Sequence, residues 1–277
     1  MLKILVSVRN RLGISKKCIQ SIEKNAVEPY QIYVYSNLTN YRLDDHIAYF
    51  GNLYKEGRIA QVTFNSKEST FNAFSKAVSS NMFGLQHEQD PDKDKTEHLM
   101  ILDNDIVVIH KKFDKLLRKC WQDVKKKKLN NVKIIGQKPG GIKGCKTIIE
   151  GGLCGIEARI GKLGGSGLWH ICSDFYRDVG FLDLKKLQGQ NKKHDQMTWQ
   201  LCEKATNGEP YIIALKTKIG IHCGKIAGSV CNPLSKMNPK DALEKIKWSK
   251  ADKEIEAMTY DNFINMIMED KYLANNW

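Results

Sequence analysis

Apolar and polar positions alternate along the chain in blocks that predict a strand-rich N-terminal half. Residues 2–8 (Leu-Lys-Ile-Leu-Val-Ser-Val) form a short, mostly apolar run, the pattern of a strand buried on both faces. A loop over 9–14 follows. Ser15 is placed to cap a helix that ends at Glu23 and turns Cys18, Ile19 and Ile22 to one side. Further strands are predicted over 31–35 and 59–64, and a helix from Ser69 that carries Phe71, Phe74 and Val78 on one face. Such strand-loop-helix alternation signals a parallel α/β sheet.

Residues 86–98 are almost all polar and predict a solvated loop. Two very apolar strand-like runs come next, 99–102 and 106–109, with Asp103-Asn104-Asp105 between them. Phe113, Leu116, Leu117, Cys120, Trp121 and Val124 then keep helical spacing, and Lys125 to Lys128 close that helix with charges that suit its dipole. Eleven of the 21 glycines fall between Gly136 and Gly167. That stretch predicts no regular helix and no ordinary strands, but either a mobile loop or irregular hairpins, or backbone that approaches a ligand closely. Later elements are a short helix over 173–180, a helix opened by His194-Asp195, a strand over 211–215, a run over 219–222 and a helical tail from Pro239.

Composition adds less than the pattern. The chain has 277 residues, 42% hydrophobic and 27% charged, as globular proteins do. No apolar run nears the roughly 18 residues that cross a bilayer, and Arg9 and Arg11 cut the N-terminal run too short for an export signal. The eight cysteines are scattered without a C-x-x-C pair and read as reduced thiols, which places the protein in the cytoplasm. A zinc site at His222, Cys223 and Cys231 matches no standard spacing. The net charge of +13 favours polyanionic partners or an anionic membrane surface. Lys111, Lys112, Arg118, Lys119 and Lys125 to Lys128 are the phosphate-contact candidates. Lys240, Lys245, Lys247, Lys250 and Lys253 are the candidates for peripheral membrane contact.

The acidic triplet carries the chemistry. Two carboxylates two apart at the end of a buried strand reach the carboxyl edge of a sheet, where open α/β folds bind ligands. Carboxylate oxygens hold hard cations such as Mn²⁺ and Mg²⁺, which a diphosphate can share.

These features in order resemble GT-A-fold glycosyltransferases, family 2 in particular, over roughly residues 1 to 225. Ile4 to Arg11 resembles the family's opening strand and loop, and Tyr33 to Asn37 its second strand. Asn65 and Phe71-Asn72-Ala73 fall where the family carries short Asn motifs, and Asp103-Asn104-Asp105 matches its DXD. Gly165-Ser166-Gly167, Phe175 to Asp183 and His194-Asp195 resemble its later acceptor region. The resemblance implies a GT-A mixed sheet flanked by helices over 1–238, with a nucleotide-sugar half at 1–110, an acceptor half at 111–238 and a helical extension at 239–277. It also implies a metal-dependent, inverting transfer from a nucleoside-diphosphate sugar, a UDP-sugar foremost, to an acceptor hydroxyl. Asp105, Asp103 and His222 would hold the metal. Val8, Arg9, Asn10, Asn37, Asn72, Asp103 and Asn104 would line the nucleotide-sugar pocket, and Asp195 would be the general base.

The acceptor stays open: a glycan, a lipid-linked or protein hydroxyl, or a polyanion such as hydroxylated-base DNA. Two rival classes are a nucleotidyltransferase and a basic nucleic-acid-binding protein without catalysis. The first lacks a Gly-rich phosphate loop after the opening strand, and the second lacks any helix-turn-helix, zinc-finger or aromatic RNA-binding signature.

Overall fold

The computed structural model describes residues 1–37, 42–65, 98–137, 145–162, 168–172, 200, 202–223 and 250–269. The predicted helices from Ser69, over 173–180 and from His194, and the polar segment 86–97, lie outside them.

The opening run forms β1 (Leu2–Arg9), followed by α1 (Leu12–Asn25), β2 (Tyr30–Asn37), α2 (Leu43–Lys55) and β3 (Gln61–Asn65). Next come β4 (His98–Asp103), β5 (Ile106–Val108) and α3 (Phe113–Lys126). The second half supplies β6 (Ile134–Gln137), β7 (Cys145–Ile148), β8 (Ala158–Gly161), β9 (Leu168–Cys172), β10 (Ile212–Leu215) and β11 (Gly220–His222). Two helical stretches close the described chain, α4 over 250–257 and α5 (Tyr260–Glu269).

Among the described residues, nine strands form one mixed sheet in the order β3-β2-β1-β4-β9-β6-β10-β8-β7, and β11 pairs with β5 in a separate ribbon. Strands β3, β2, β1 and β4 are parallel, and β9 runs against both β4 and β6. Strand β1 sits among them with Ile4, Leu5, Val6 and Val8 wholly buried, so its unbroken apolar run reflects burial on both faces. Ile4, Val6, Ile32, Val34, Met100 and Leu102 share one cluster with Cys18, Ile19 and Ile22 of α1, Phe50 and Leu53 of α2, and Phe113, Leu117 and Trp121 of α3. Full burial of each large side chain there contributes about 1.5–3 kcal/mol.

The glycine-rich stretch forms an irregular hairpin, as one of its readings expects, but it carries more regular strand than its glycines suggest. It holds three strands, β6, β7 and β8, and the last two form an antiparallel hairpin with a register shift between Cys145 and Thr147. The glycines with left-handed backbone, Gly151, Gly152 and Gly155, gather in its turn. Helix α1 also starts earlier than expected, at Leu12. Ser15 is not its cap but lies inside it, with its hydroxyl donated to the Arg11 carbonyl at 2.8 Å.

The acceptor for the first amides of α1 comes from far along the chain. Asp252 of α4 accepts from the Gly13 and Ile14 amides at 3.1 Å each. Glu256 pairs with Lys16 and Arg42 at 2.5 and 2.6 Å. Ile255, Phe263 and Ile267 pack with Ile14, Val107, Ile221 and Cys223. Residues 250–269 therefore pack against α1 and the β5–β11 ribbon.

His170 on β9 packs in the core. It is 1% exposed, and its Nδ1 accepts from the Trp121 indole at 2.5 Å. Indole is only a donor, so this ring is neutral with its proton on Nε2. Burial, and then the neighbouring His98, hold its pKa well below the ordinary value. The sign follows from linkage: the unfolded chain takes up a proton near pH 6.5 that the folded ring refuses, so stability falls as pH drops below that point. Urea unfolding from pH 7.5 to 5 is expected to show this loss, with a shallower slope in His170→Gln. Equal slopes would contradict it.

Candidate active site at the carboxyl ends of the parallel strands

The parallel registers bring Arg9 beside Asn37 and Ser7 beside Asp103, so β1, β2 and β4 end at one edge. There Asp103 closes β4, and Asn104-Asp105 turns the chain into β5. Both flanks pin the turn: the Asn104 amide donates to the Ser7 carbonyl at 3.1 Å, and the Asp105 carbonyl accepts from the Cys223 amide at 2.7 Å. The second bond ties the triplet to β11, which pairs His222 with Ile106.

A buried glutamine and a glycine set the position of β11. Gln137 at the end of β6 accepts from the Ile219 and Gly220 amides at 2.7 Å each and donates to the Gly220 carbonyl at 2.6 Å. A Cβ at Gly220 would lie 2.9 Å from Ile106 Cγ2 and 3.1 Å from the Val107 carbonyl, so glycine permits the close approach of the ribbon. Gln137→Ala would leave three buried backbone groups unpaired. The expected loss is about 2–4 kcal/mol by urea unfolding, and a loss under about 0.5 kcal/mol would contradict this role.

The ribbon brings the His222 Nε2 to 3.3 Å from Asp105 Oδ2. The Arg11 guanidinium lies 3.0 Å from the same oxygen and 3.4 Å from Asn104 Oδ1. The other oxygen, Asp105 Oδ1, is buried and has no hydrogen-bond partner among the described residues. Burial pushes the Asp105 carboxyl up, but the His222 hydrogen bond and Arg11 outweigh it and hold the pKa below the usual carboxylate range. The Asp105 bond in turn raises the His222 pKa against its partial burial, and Asp103 adds attraction from nearby.

The other expected site residues are placed unevenly. Val8 is wholly buried in the core, so its side chain offers no pocket surface. Asn10 is 4% exposed in left-handed backbone, and its carbonyl accepts from Asn104 Nδ2 at 3.4 Å. Asn104 also donates to Ser15 Oγ at 2.8 Å. Its amide therefore braces the loop instead of facing a ligand: a buried Asn satisfies its own polar groups first. Arg9 and Asn37 are placed by their backbones at the strand ends. Asn72, Asp195 and Gly164 to Gly167 lie outside the described residues. Among the described residues, no group of three or more His, Cys, Asp or Glu converges as a complete metal site. Asp105 and His222 meet as a pair.

Arg11 is the residue that sequence reasoning missed. A basic side chain in the loop after a strand at the binding edge was the available signal. The lysine-rich α3 belongs elsewhere. Glu28, Pro29, His98, Asp114, Arg118 and His170 line one cavity of about 330 Å³ at the opposite end of β4. Five residue steps along the strand, roughly 17 Å, separate His98 from Asp103. The polybasic end of α3 leads into β6, whose Ile134 aligns through Ile171 with Leu99, near that same far end. The proposed phosphate contacts on α3 thus sit away from Asp103 and Asp105.

No protein-family model and no curated protein matches the chain. Solved structures do. Residues 1–349 of S. aureus TarS, in complex with UDP-GlcNAc, align at a TM-score of 0.50 and 13% identity, covering 97% of this chain and 73% of that one. A larger S. aureus TarS structure aligns at 0.46 and 10% identity, and this chain spans 44% of its length. The mannosyltransferase PcManGT from Pyrobaculum calidifontis, in complex with GDP-Man and Mn²⁺, aligns at 0.45 and 9% identity, covering 77% of this chain and 56% of that one. The chain has the fold of GT-A-type glycosyltransferases. Among the described residues, no helix is long and apolar enough to cross a membrane.

Proposed function

We propose that the chain is an inverting glycosyltransferase that moves a sugar from a nucleoside-diphosphate sugar, a UDP-sugar foremost, to an acceptor hydroxyl. The observation that carries this reading is the Asp103-Asn104-Asp105 turn at the carboxyl edge of the sheet, with the Asp105 carboxylate and His222 imidazole 3.3 Å apart. The fold shared with TarS supports it and puts UDP-GlcNAc first among the donors to try.

The donor set fits a divalent cation. A buried carboxylate oxygen without a partner among the described residues, Asp105 Oδ1, and a half-exposed imidazole are ligands that Mn²⁺ or Mg²⁺ accepts. Asp105 and His222 would hold the ion, with Asp103 beside them. When bound, it would neutralise the charge that builds on the leaving diphosphate.

The chain's own residues do the rest. Asp103, at the strand end, meets the donor ribose or sugar. The backbone of Asn10 and residues Arg9, Asn37 and Asn72 border the nucleotide. Asp195 takes the proton from the acceptor hydroxyl as it attacks, in line with and opposite the diphosphate, which inverts the anomeric carbon. Asn104 and Ser15 hold the loop that carries Arg11.

A panel of UDP-, GDP- and TDP-sugars, with and without Mn²⁺, tests the reading by nucleoside diphosphate release. Slow metal-dependent hydrolysis of one donor is expected. Failure of every donor would overturn the reading in favour of a basic binding protein, whose DNA affinity would fall steeply with salt. Once a donor is known, a salt series on acceptor binding separates a polyanionic acceptor from a neutral one.

A further inference from the structure

We propose that Arg11 is a resident counter-cation of Asp105 that makes divalent-ion binding depend on the nucleotide diphosphate. This rests on the reading that the donor diphosphate binds at Asp105.

The loop is built to hold this one side chain. Asn10 and Arg11 both take left-handed backbone, with φ of 50° and 54°. Such residues carry strain and persist when their surroundings fix them. Here Asn104 spans the loop, donating to the Asn10 carbonyl and to Ser15 Oγ and accepting from Arg11. Ser15 returns its amide and hydroxyl to the Arg11 carbonyl at 3.1 and 2.8 Å. A guanidinium delivered in this way reaches Asp105 with only 12% of its own side chain and 8% of its partner's exposed.

Charge counting then sets the order of binding. Arg11 cancels the charge of Asp105, the carboxylate it touches, although Asp103 adds negative charge nearby, and an arginine does not give up its proton. A divalent ion added at Asp105 therefore meets a fixed positive charge on the same carboxylate, in a place where water screens little. A diphosphate brings enough negative charge to satisfy both cations. Metal and nucleotide each raise the other's affinity, equally and reciprocally. Apo protein keeps its buried carboxylate paired, and Asp105 is loaded when donor arrives.

Titration of Mn²⁺ into the full chain, read as free Mn²⁺ by electron paramagnetic resonance with and without UDP, tests this. The wild type is expected to bind Mn²⁺ weakly alone and more tightly with UDP. Arg11→Met is expected to bind Mn²⁺ alone tighter, on the order of tenfold, and to gain less from UDP. Arg11→Lys, which keeps the charge and guards against misfolding of the first variant, is expected between the two. The proposal is overturned if Arg11→Met binds Mn²⁺ alone no tighter than wild type, or if neither binds it. If UDP changes nothing in the wild type, the transferase reading fails, while the ratio of Arg11→Met to wild type without UDP still decides the role of Arg11.

Discussion

Asp105→Asn is expected to lower donor turnover by about 10³-fold or more while leaving the protein folded. The substitution keeps the shape of the side chain and an oxygen for Arg11 and His222, but removes the charge that both interactions use. Asp105 is where Arg11, His222 and the Cys223 amide converge. Arg11 also loses its counter-ion, so stability is expected to fall by about 3 kcal/mol, as when one partner of a buried pair is removed. Nucleoside diphosphate release from the donor found in the panel measures the first effect, and urea unfolding the second. Turnover within tenfold of wild type would place the chemistry elsewhere.

Gly13→Ala is expected to have the largest effect on stability. A Cβ there would sit 2.0 Å from the Asp252 carbonyl oxygen and 2.9 Å from the Glu256 nitrogen, both backbone atoms that no rotamer change can move aside. Helix α4 must shift away from α1, and Asp252 then loses the Gly13 and Ile14 amides. Overpacking together with lost buried hydrogen bonds costs about 3 kcal/mol or more. For a chain of this size the midpoint of thermal unfolding should drop by about 6–12 °C. A drop under about 2 °C would mean that α4 is not held against α1 as described.

The same contact shows what the sequence conceals. The start of α1 is set by a carboxylate that lies 239 positions from the amide it accepts. No local cap signal stands at Arg11, so Ser15 was the nearest residue of the right type. Helix α2 went unread although His46, Phe50 and Leu53 keep helical spacing, Asp44 and Asp45 occupy its first turn, and Phe50 is fully buried. Glycine-rich β6 to β8 were masked by composition: the left-handed glycines serve the β7–β8 turn and leave the strands intact.

Strands β1, β2, β4 and β5 were legible because burial on both faces writes unbroken apolar runs. The acidic triplet was legible for the same reason, since charge between two such runs has few other uses. What each member does was not. Asn104 reads as a ligand contact until its amide is seen bracing the loop, and Arg11 reads as loop until its guanidinium is seen on Asp105. His222 followed from family resemblance, and its nearness to Asp105 follows from the β5–β11 register.

Anomalous diffraction from crystals grown with UDP and Mn²⁺ addresses the central claim most directly. A manganese peak between Asp105 and His222, with the UDP diphosphate against it, is the result expected. UDP bound without manganese at these residues, or manganese bound away from both, would contradict it.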